Sequence, residues 1–329
     1  MAPGGTIGQV ERLVGEQRFA EAAALLIRAA GAGDAAAEAA LAQWRIAGNI
    51  VRRDLAEARR LLASAGAKGD PDSALLHAYF LAAGVGGADD WPGAVATLTA
   101  LAPRNAGAAA QLRLLSEMKL DPNGFPERPP PVRPLSTAPR AAACEGFMTA
   151  AECAYLCKAL EPALQPSMVV DPSTGAMVPH PVRSSDAATF GVFSEDLVVN
   201  ALNRRIAAVS GTRIEQGEPL QLLRYRPGGE YKPHMDALPA EPNQRILTAL
   251  VYLSDDYEGG ETSFPRTGLS YRGGAGDALI FRNAAPDGRA DPLTLHAGLP
   301  VTRGTKYLAS RWIRAQRFTY PPPKPLVEM

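Results

Sequence analysis

The stretch YKPHMDALP, residues 231–239, sets a histidine and an aspartate two positions apart in a chain of 329 residues that holds four histidines. Read as a strand, side chains i and i+2 project from one face, so His234 and Asp236 share a face and Met235 points away. One imidazole and one carboxylate so placed supply two cis positions of an octahedral metal. His296, in LTLHAGLP, is the only downstream histidine and the candidate third ligand. Such a set leaves three coordination positions open, so its neighbours decide the chemistry.

Those neighbours lie in short β-type runs: LQLLRY, RILTALVYL, ETSFP, LSYR, DALIF, LTLHAG and YLASRWIR, separated by Gly, Pro, Asp and Asn clusters. Many short strands spaced by turns indicate a sandwich or barrel. Two helical stretches precede them, near 148–163 and 194–210, with the polar loop DPSTGAMVPHPVRSSD between. Lys306 lies ten residues after His296, where a basic group can hold the distal carboxylate of a keto acid bound to the metal. Tyr225 and Thr262 are placed to hydrogen-bond the same carboxylate. His77 and His180 read as structural or solvated, and RGGAGD (272–277) is a strand-connecting turn, since neither a helix nor a Lys-Ser/Thr pair follows it.

Residues 1–120 are rich in Ala and Leu, read as helices, and repeat. A shift of 36 places superimposes Gly33-Asp34 on Gly69-Asp70, Trp44 on Phe80, Ala47-Gly48 on Ala83-Gly84, Asp54 on Asp90 and Leu62 on Leu98. A third copy starts near Asn105. Small residues in register let two helices pack closely and Gly closes the turn, which predicts an α-solenoid of helical hairpins. Residues 121–140 hold seven prolines and predict an extended linker, neither helix nor central strand. Residues 141–318 form the β-rich domain, and 319–329 a solvated Pro-rich tail.

Lys+Arg and Asp+Glu are both 34, a balance that argues against nucleic acid and polybasic membrane partners. No apolar run approaches the ~20 residues of a membrane span, and the N-terminal stretch lacks a secretory signal pattern. Cys144, Cys153 and Cys157 are too few and clustered for a disulfide framework, and Cys153 with Cys157 reads as a buried reduced pair. A cytoplasmic location is expected.

The pieces LLRYRPGGEYKPHMD, QRILTALVYLSDDYEGGETSFP, GGAGDALIF and LHAGLPVTRGTKYLASRWIR resemble, in order and spacing, the catalytic domain of the prolyl 4-hydroxylase branch of the 2-oxoglutarate/Fe(II) dioxygenases. VRSSDAATF (182–190) resembles the Arg-Thr-Ser element of that family. The resemblance implies a double-stranded β-helix of jelly-roll kind with buttressing helices, in an α+β multidomain chain. It implies His234, Asp236 and His296 as iron ligands, and Lys306, Tyr225 and Thr262 around 2-oxoglutarate. Tyr231, Arg245, Trp312 and Arg183 would line the substrate cleft, and the polar stretch 171–182 would be a lid. The chain departs from the family at Leu299, where Cys is frequent, and at Tyr307, where Trp is. The repeat pattern AxxxLAxWxxAGNxVxxDxxEAxxLLxxAGAKGD resembles the Sel1-like subclass of tetratricopeptide repeats.

The implied activity is hydroxylation of an unactivated C–H with Fe(II), 2-oxoglutarate and O₂, releasing succinate and CO₂, with ascorbate as reductant. The carboxylate ligand favours hydroxylation over halogenation, since halogenating relatives lack it. The expected substrate is a prolyl residue of a peptide or protein, which the repeats either hold or leave aside while forming a homodimer. Rival readings are a hydroxylase of a free amino acid or non-prolyl side chain, and a non-catalytic scaffold with a degenerate oxygenase domain. Nucleic-acid demethylases share the triad but place Arg where Lys306 stands.

Overall fold

The computed structural model describes residues 5–170, 174, 177–179, 182–191, 193–285 and 288–329. The chain divides into two compact units, one of Met1–Phe125, Val192–Ala201 and Thr319–Met329, the other of Pro126–Gly191 and Leu202–Phe318.

The first unit carries helices α1 (Thr6–Gly15), α2 (Phe19–Gly31), α3 (Ala35–Ala47), α4 (Leu55–Ala67), α5 (Pro71–Ala83), α6 (Trp91–Leu101) and α7 (Ala106–Glu117). The expected repeat of 36 appears as helix starts: α3 to α5 and α4 to α6. The same step links α2 to α4, so the repeat extends one copy further toward the N-terminus than the matched residues indicated. Its physical basis is capping. Asp34, Asp54, Asp70, Asp90 and Asn105 each accept a backbone N–H of the first helical turn. Gly48 and Gly84 end α3 and α5 in the left-handed conformation. Fully buried Ala22, Ala42 and Ala58 allow close helix approach, and Leu26, Leu41, Leu61, Leu62 and Phe80 fill the core.

The second unit carries β1 (Arg133–Thr137), β2 (Arg140–Cys144), α8 (Ala150–Leu160), β3 (Gln165–Pro166), β4 (Met168–Val170), β5 (Met177–Pro179) and β6 (Asp186–Thr189). Then come α9 (Leu197–Ser210), which begins within the first unit's residues, β7 (Gln221–Tyr225), β8 (Tyr231–His234), β9 (Arg245–Tyr252) and β10 (Glu258–Gly259). β11 (Thr262–Phe264), β12 (Leu269–Tyr271), β13 (Ala278–Arg282), β14 (His296–Gly298), β15 (Val301–Arg303) and β16 (Lys306–Arg314) complete it. An antiparallel sheet in the order β1-β2-β13-β9-β16-β7-β6-β3 faces a smaller one in the order β12-β11-β14-β8. Leu223, Leu250, Leu279 and Phe281 of the first sheet pack with Phe264 of the second, as a jelly roll requires. A Thr149–Glu152 capping box starts α8, and Glu152 forms a buried ion pair with Arg205 of α9. Cys153 is buried and Cys157 half-buried, both are free, and burial pushes their thiols up to about 12 and about 11.

Two expectations are corrected. Residues 121–140 do not form one linker. Asp121 accepts the N–H groups of Asn123 and Phe125 in a tight turn, and 133–137 pair with 140–144 as a hairpin. Pro134 is admitted because β1 is the sheet edge, where a missing N–H breaks no ladder. The tail is likewise not free. The Leu326 and Val327 N–H groups donate to the Asn49 and Ile50 carbonyls, and Arg53 donates to the Tyr320 carbonyl. The lid stretch 171–182 and His180 lie largely or wholly outside the described residues.

Gly86 follows α5 with φ +70°, and a Cβ there would overlap the Leu55 carbonyl at the start of α4. Gly86→Ala is expected to destabilise the helical unit by about 2 kcal/mol or more, read as a lower urea midpoint in far-UV circular dichroism.

Candidate active site

The last residue of β8, His234, stands directly opposite the first residue of β14, His296, in the antiparallel register. This pairing brings the two rings to 4.2 Å between centroids. Asp236 lies in the bend after β8, not in the strand as its i+2 spacing implied. The turn nevertheless carries its carboxylate between the rings: Oδ1 is 3.6 Å from His234 Nε2, and Oδ2 is 3.6 Å from His296 Nε2. One ligand atom from each of the three residues lies within 4.8 Å of the others.

The protonation pattern suits a cation. His234 Nδ1 is 2.9 Å from the Lys232 carbonyl and His296 Nδ1 is 2.9 Å from the Thr294 carbonyl. A carbonyl only accepts, so both Nδ1 atoms carry hydrogen and both Nε2 lone pairs face the centre. Burial lowers the His296 pKa against the pull of Asp236, keeping the imidazole neutral. Burial opposes ionisation of Asp236, but positive charge on His296 and His234 when they are protonated, together with the Thr248 hydroxyl, holds the carboxyl below the ordinary range, and with neutral rings a bound cation takes over that role. Two imidazole Nε2 atoms and a buried carboxylate are a donor set for a divalent metal, with positions to spare. The Tyr231 ring stacks on His234 at 3.4 Å, and Phe281 packs edge-on to His296.

A cavity opens beside the triad. Alternate residues of β16, Lys306, Leu308, Ser310 and Trp312, line one wall, as the period-2 projection of a strand dictates. Lys306 is 2% exposed, and its Nζ donates to the Gly260 carbonyl at 2.6 Å, near the faces of Tyr225 and Tyr252. Among the described residues it forms no ion pair, and burial pushes its pKa down to about 8 against the pull of Glu261. An ammonium so enclosed fits an anionic co-substrate. Tyr225 and Thr262 line the same cavity, with the Thr262 hydroxyl 2.8 Å from the Tyr252 hydroxyl. Arg183, Tyr231 and Trp312 form another part of the wall. Arg245 is not among the lining residues. It pairs with Glu218 and stacks on Trp312 at 3.8 Å, so it acts on the cavity through that ring. Sequence reasoning missed Tyr252, Thr248 and Asn283. The detectable signal was a Thr amid the apolar run RILTALVYL, a polar group that must find a partner when buried.

Residues 220–314 match the 2OG-Fe(II) oxygenase superfamily. Prolyl 4-hydroxylase 5 of Arabidopsis thaliana is 36% identical over 211 residues, 57% of this chain and 72% of that protein. Prolyl 4-hydroxylase 1 of the same plant is 37% identical over 203 residues, 55% of this chain and 70% of that protein. The viral collagen prolyl hydroxylase vCPH from Paramecium Bursaria Chlorella virus-1, solved as a 2OG complex, is 29% identical with a TM-score of 0.44, covering 54% of this chain and 96% of that one. A Sel1 repeat protein from Oxalobacter formigenes is 32% identical over 29% of this chain and 28% of that one, with a TM-score of 0.28. The chain belongs to the prolyl 4-hydroxylase family of 2OG-Fe(II) oxygenases. It is a 2-oxoglutarate-dependent dioxygenase that uses Fe(II) and O₂.

In the protein without metal or co-substrate, Lys306→Met is expected to raise stability at pH 7 by about 2 kcal/mol, since burial of the ammonium is a cost on folding. Its pKa falls from 10.5 to about 8, so the cost is full below the lower value and fades as pH rises toward the higher. Urea denaturation at pH 7 and pH 9.5 should show the gain shrinking at the higher pH. An equal gain at both would contradict burial as its cause.

Proposed function

We propose that the enzyme hydroxylates a prolyl residue in a peptide or protein, with His234, Asp236 and His296 holding Fe(II) and Lys306, Tyr225 and Thr262 holding the distal carboxylate of 2-oxoglutarate. The observation that carries this reading is the buried Lys306 without an ion-pair partner among the described residues, beside a triad of metal-binding donors. Bound Fe(II), with 2-oxoglutarate and O₂, supplies the oxidant that replaces C–H by C–OH and leaves succinate and CO₂.

The chain's own groups position and shield the reactants. The Lys306 ammonium offsets the incoming carboxylate, which restores the charge balance that burial disturbs. Leu223, Leu250 and Leu308 supply an apolar wall that limits water around the co-substrate. The ring of Tyr231, packed on His234, and that of Trp312, held by Arg245, offer flat apolar surfaces to a pyrrolidine ring. Arg183, whose guanidinium sits over the Tyr231 ring, is placed to meet a peptide carbonyl. Relatives named prolyl 4-hydroxylases support the prolyl substrate. The helical repeats serve as a separate module that engages a polypeptide or a second copy of the chain, and ascorbate serves as reductant. Among the described residues no helix is long and apolar enough to cross a membrane, and the free thiols, two buried and one half-buried, suit a reducing compartment.

The test is anaerobic reconstitution with Fe(II), then succinate formation with and without proline-rich peptides. Succinate that rises with one peptide, together with a +16 Da product on proline, is expected, and His234→Ala should abolish both. Succinate formation that no prolyl peptide stimulates would move the substrate to a free amino acid or another side chain. Lys306→Ala is expected to raise the KM for 2-oxoglutarate by roughly 10-fold or more, the loss of a buried charge-assisted contact. Unchanged KM would remove Lys306 from the co-substrate site.

A further inference from the structure

Thr248, in the middle of β9, and Asn283, just after β13, are both fully buried. Polar side chains in such a place are costly unless bonded. Thr248 Oγ1 lies 2.6 Å from Asp236 Oδ2, and Asn283 Nδ2 lies 2.8 Å from Thr248 Oγ1. The direction of this chain is forced. An ionised carboxylate only accepts, so the single hydroxyl hydrogen of Thr248 goes to Asp236. The Thr248 oxygen must then face a donor, which is the Asn283 NH₂. Turning the amide over would set its oxygen against the hydroxyl oxygen. The fold keeps the donor inward although this leaves Asn283 Oδ1 buried without a hydrogen-bond partner among the described residues. Backbone bonds from the Asn283 N–H to the Ile246 carbonyl, and from the Asp291 N–H to the Asn283 carbonyl, hold the residue rigid.

From this geometry we infer that Thr248 and Asn283 are positioning residues for the metal, which make Asp236 a ligand through one oxygen. The Thr248 hydroxyl engages Oδ2 and fixes the carboxylate plane, leaving Oδ1 to the cation. Without that bond the carboxylate is free to turn and to bind through both oxygens, closing a position that the co-substrate or O₂ needs. The inference rests on the assignment of Asp236 as a metal ligand.

The test uses the full-length, metal-free protein and Co(II) as the probe, with affinity measured by titration calorimetry and melting temperature measured without metal. Thr248→Val keeps the side-chain shape and removes the donor. It is expected to weaken Co(II) binding by roughly 10–100-fold, the usual effect of removing a hydrogen bond to a ligating group. Thr248→Ser restores the donor and should bring the affinity back to near the unmodified value. Asn283→Leu should weaken binding in the same direction, and it tests the inference if Thr248→Val does not fold. A role in packing alone would lower the melting temperature and leave the Co(II) affinity unchanged. Unchanged affinity in Thr248→Val or, where that variant does not fold, in Asn283→Leu overturns the inference, provided that the unmodified protein binds Co(II) and His234→Ala does not. If the unmodified protein binds no Co(II), the triad assignment itself fails, a separate result.

Discussion

An ionised carboxylate, 4% exposed and set between two imidazoles, is the constraint on which the C-terminal unit depends. Burial of charge is unfavourable unless the charge is compensated, so each neighbouring element contributes to holding Asp236. β8 and β14 bring the histidines face to face, the Lys232 and Thr294 carbonyls set which nitrogen carries hydrogen, and β9 supplies the hydroxyl that meets the second oxygen.

The second buried charge, Lys306, follows the same logic with a different outcome. Asp236 has the Thr248 hydroxyl and a place for a cation between two imidazoles, whereas among the described residues Lys306 has a carbonyl and the faces of two tyrosines. The fold therefore holds an ammonium in an environment that lowers its pKa, a cost that an anionic ligand offsets. Both charges open onto one cavity: β16 alternates its side chains, with Lys306 at one end of the wall and Trp312 at the other, and the bend after β8 carries Asp236 to the same space. The helical unit is held differently, by repeated Asp caps and buried alanines, which need no cavity.

The solenoid was legible because its determinants are local: a capping Asp, a closing Gly and small residues recur every 36 positions and act within one hairpin. The triad was legible as residue types in order, and Lys306 as a cation at the head of a strand. The Pro-rich segments were not. Proline sets φ and removes a donor, which excludes helix, but it does not say which edge the chain will follow. Residues 133–137 reached a sheet edge and 326–327 met the loop at 49–50, partners far away in sequence.

By itself the sequence determined the chemistry on offer: two imidazoles, one carboxylate and one ammonium, each carried by a short strand or the turn after it, beside a periodic run of helices. Only the tertiary structure decided how these meet. It moved Asp236 into a bend, turned Arg245 away from the cavity toward Glu218, and joined Thr248 to Asn283 across 35 positions. The physical reason is that caps and side-chain periodicity act within a few residues, whereas strand pairing is a hydrogen-bonding choice between distant segments. A spacing of residues states which donors can share a face, and the sheet register sets the distances at which they stand.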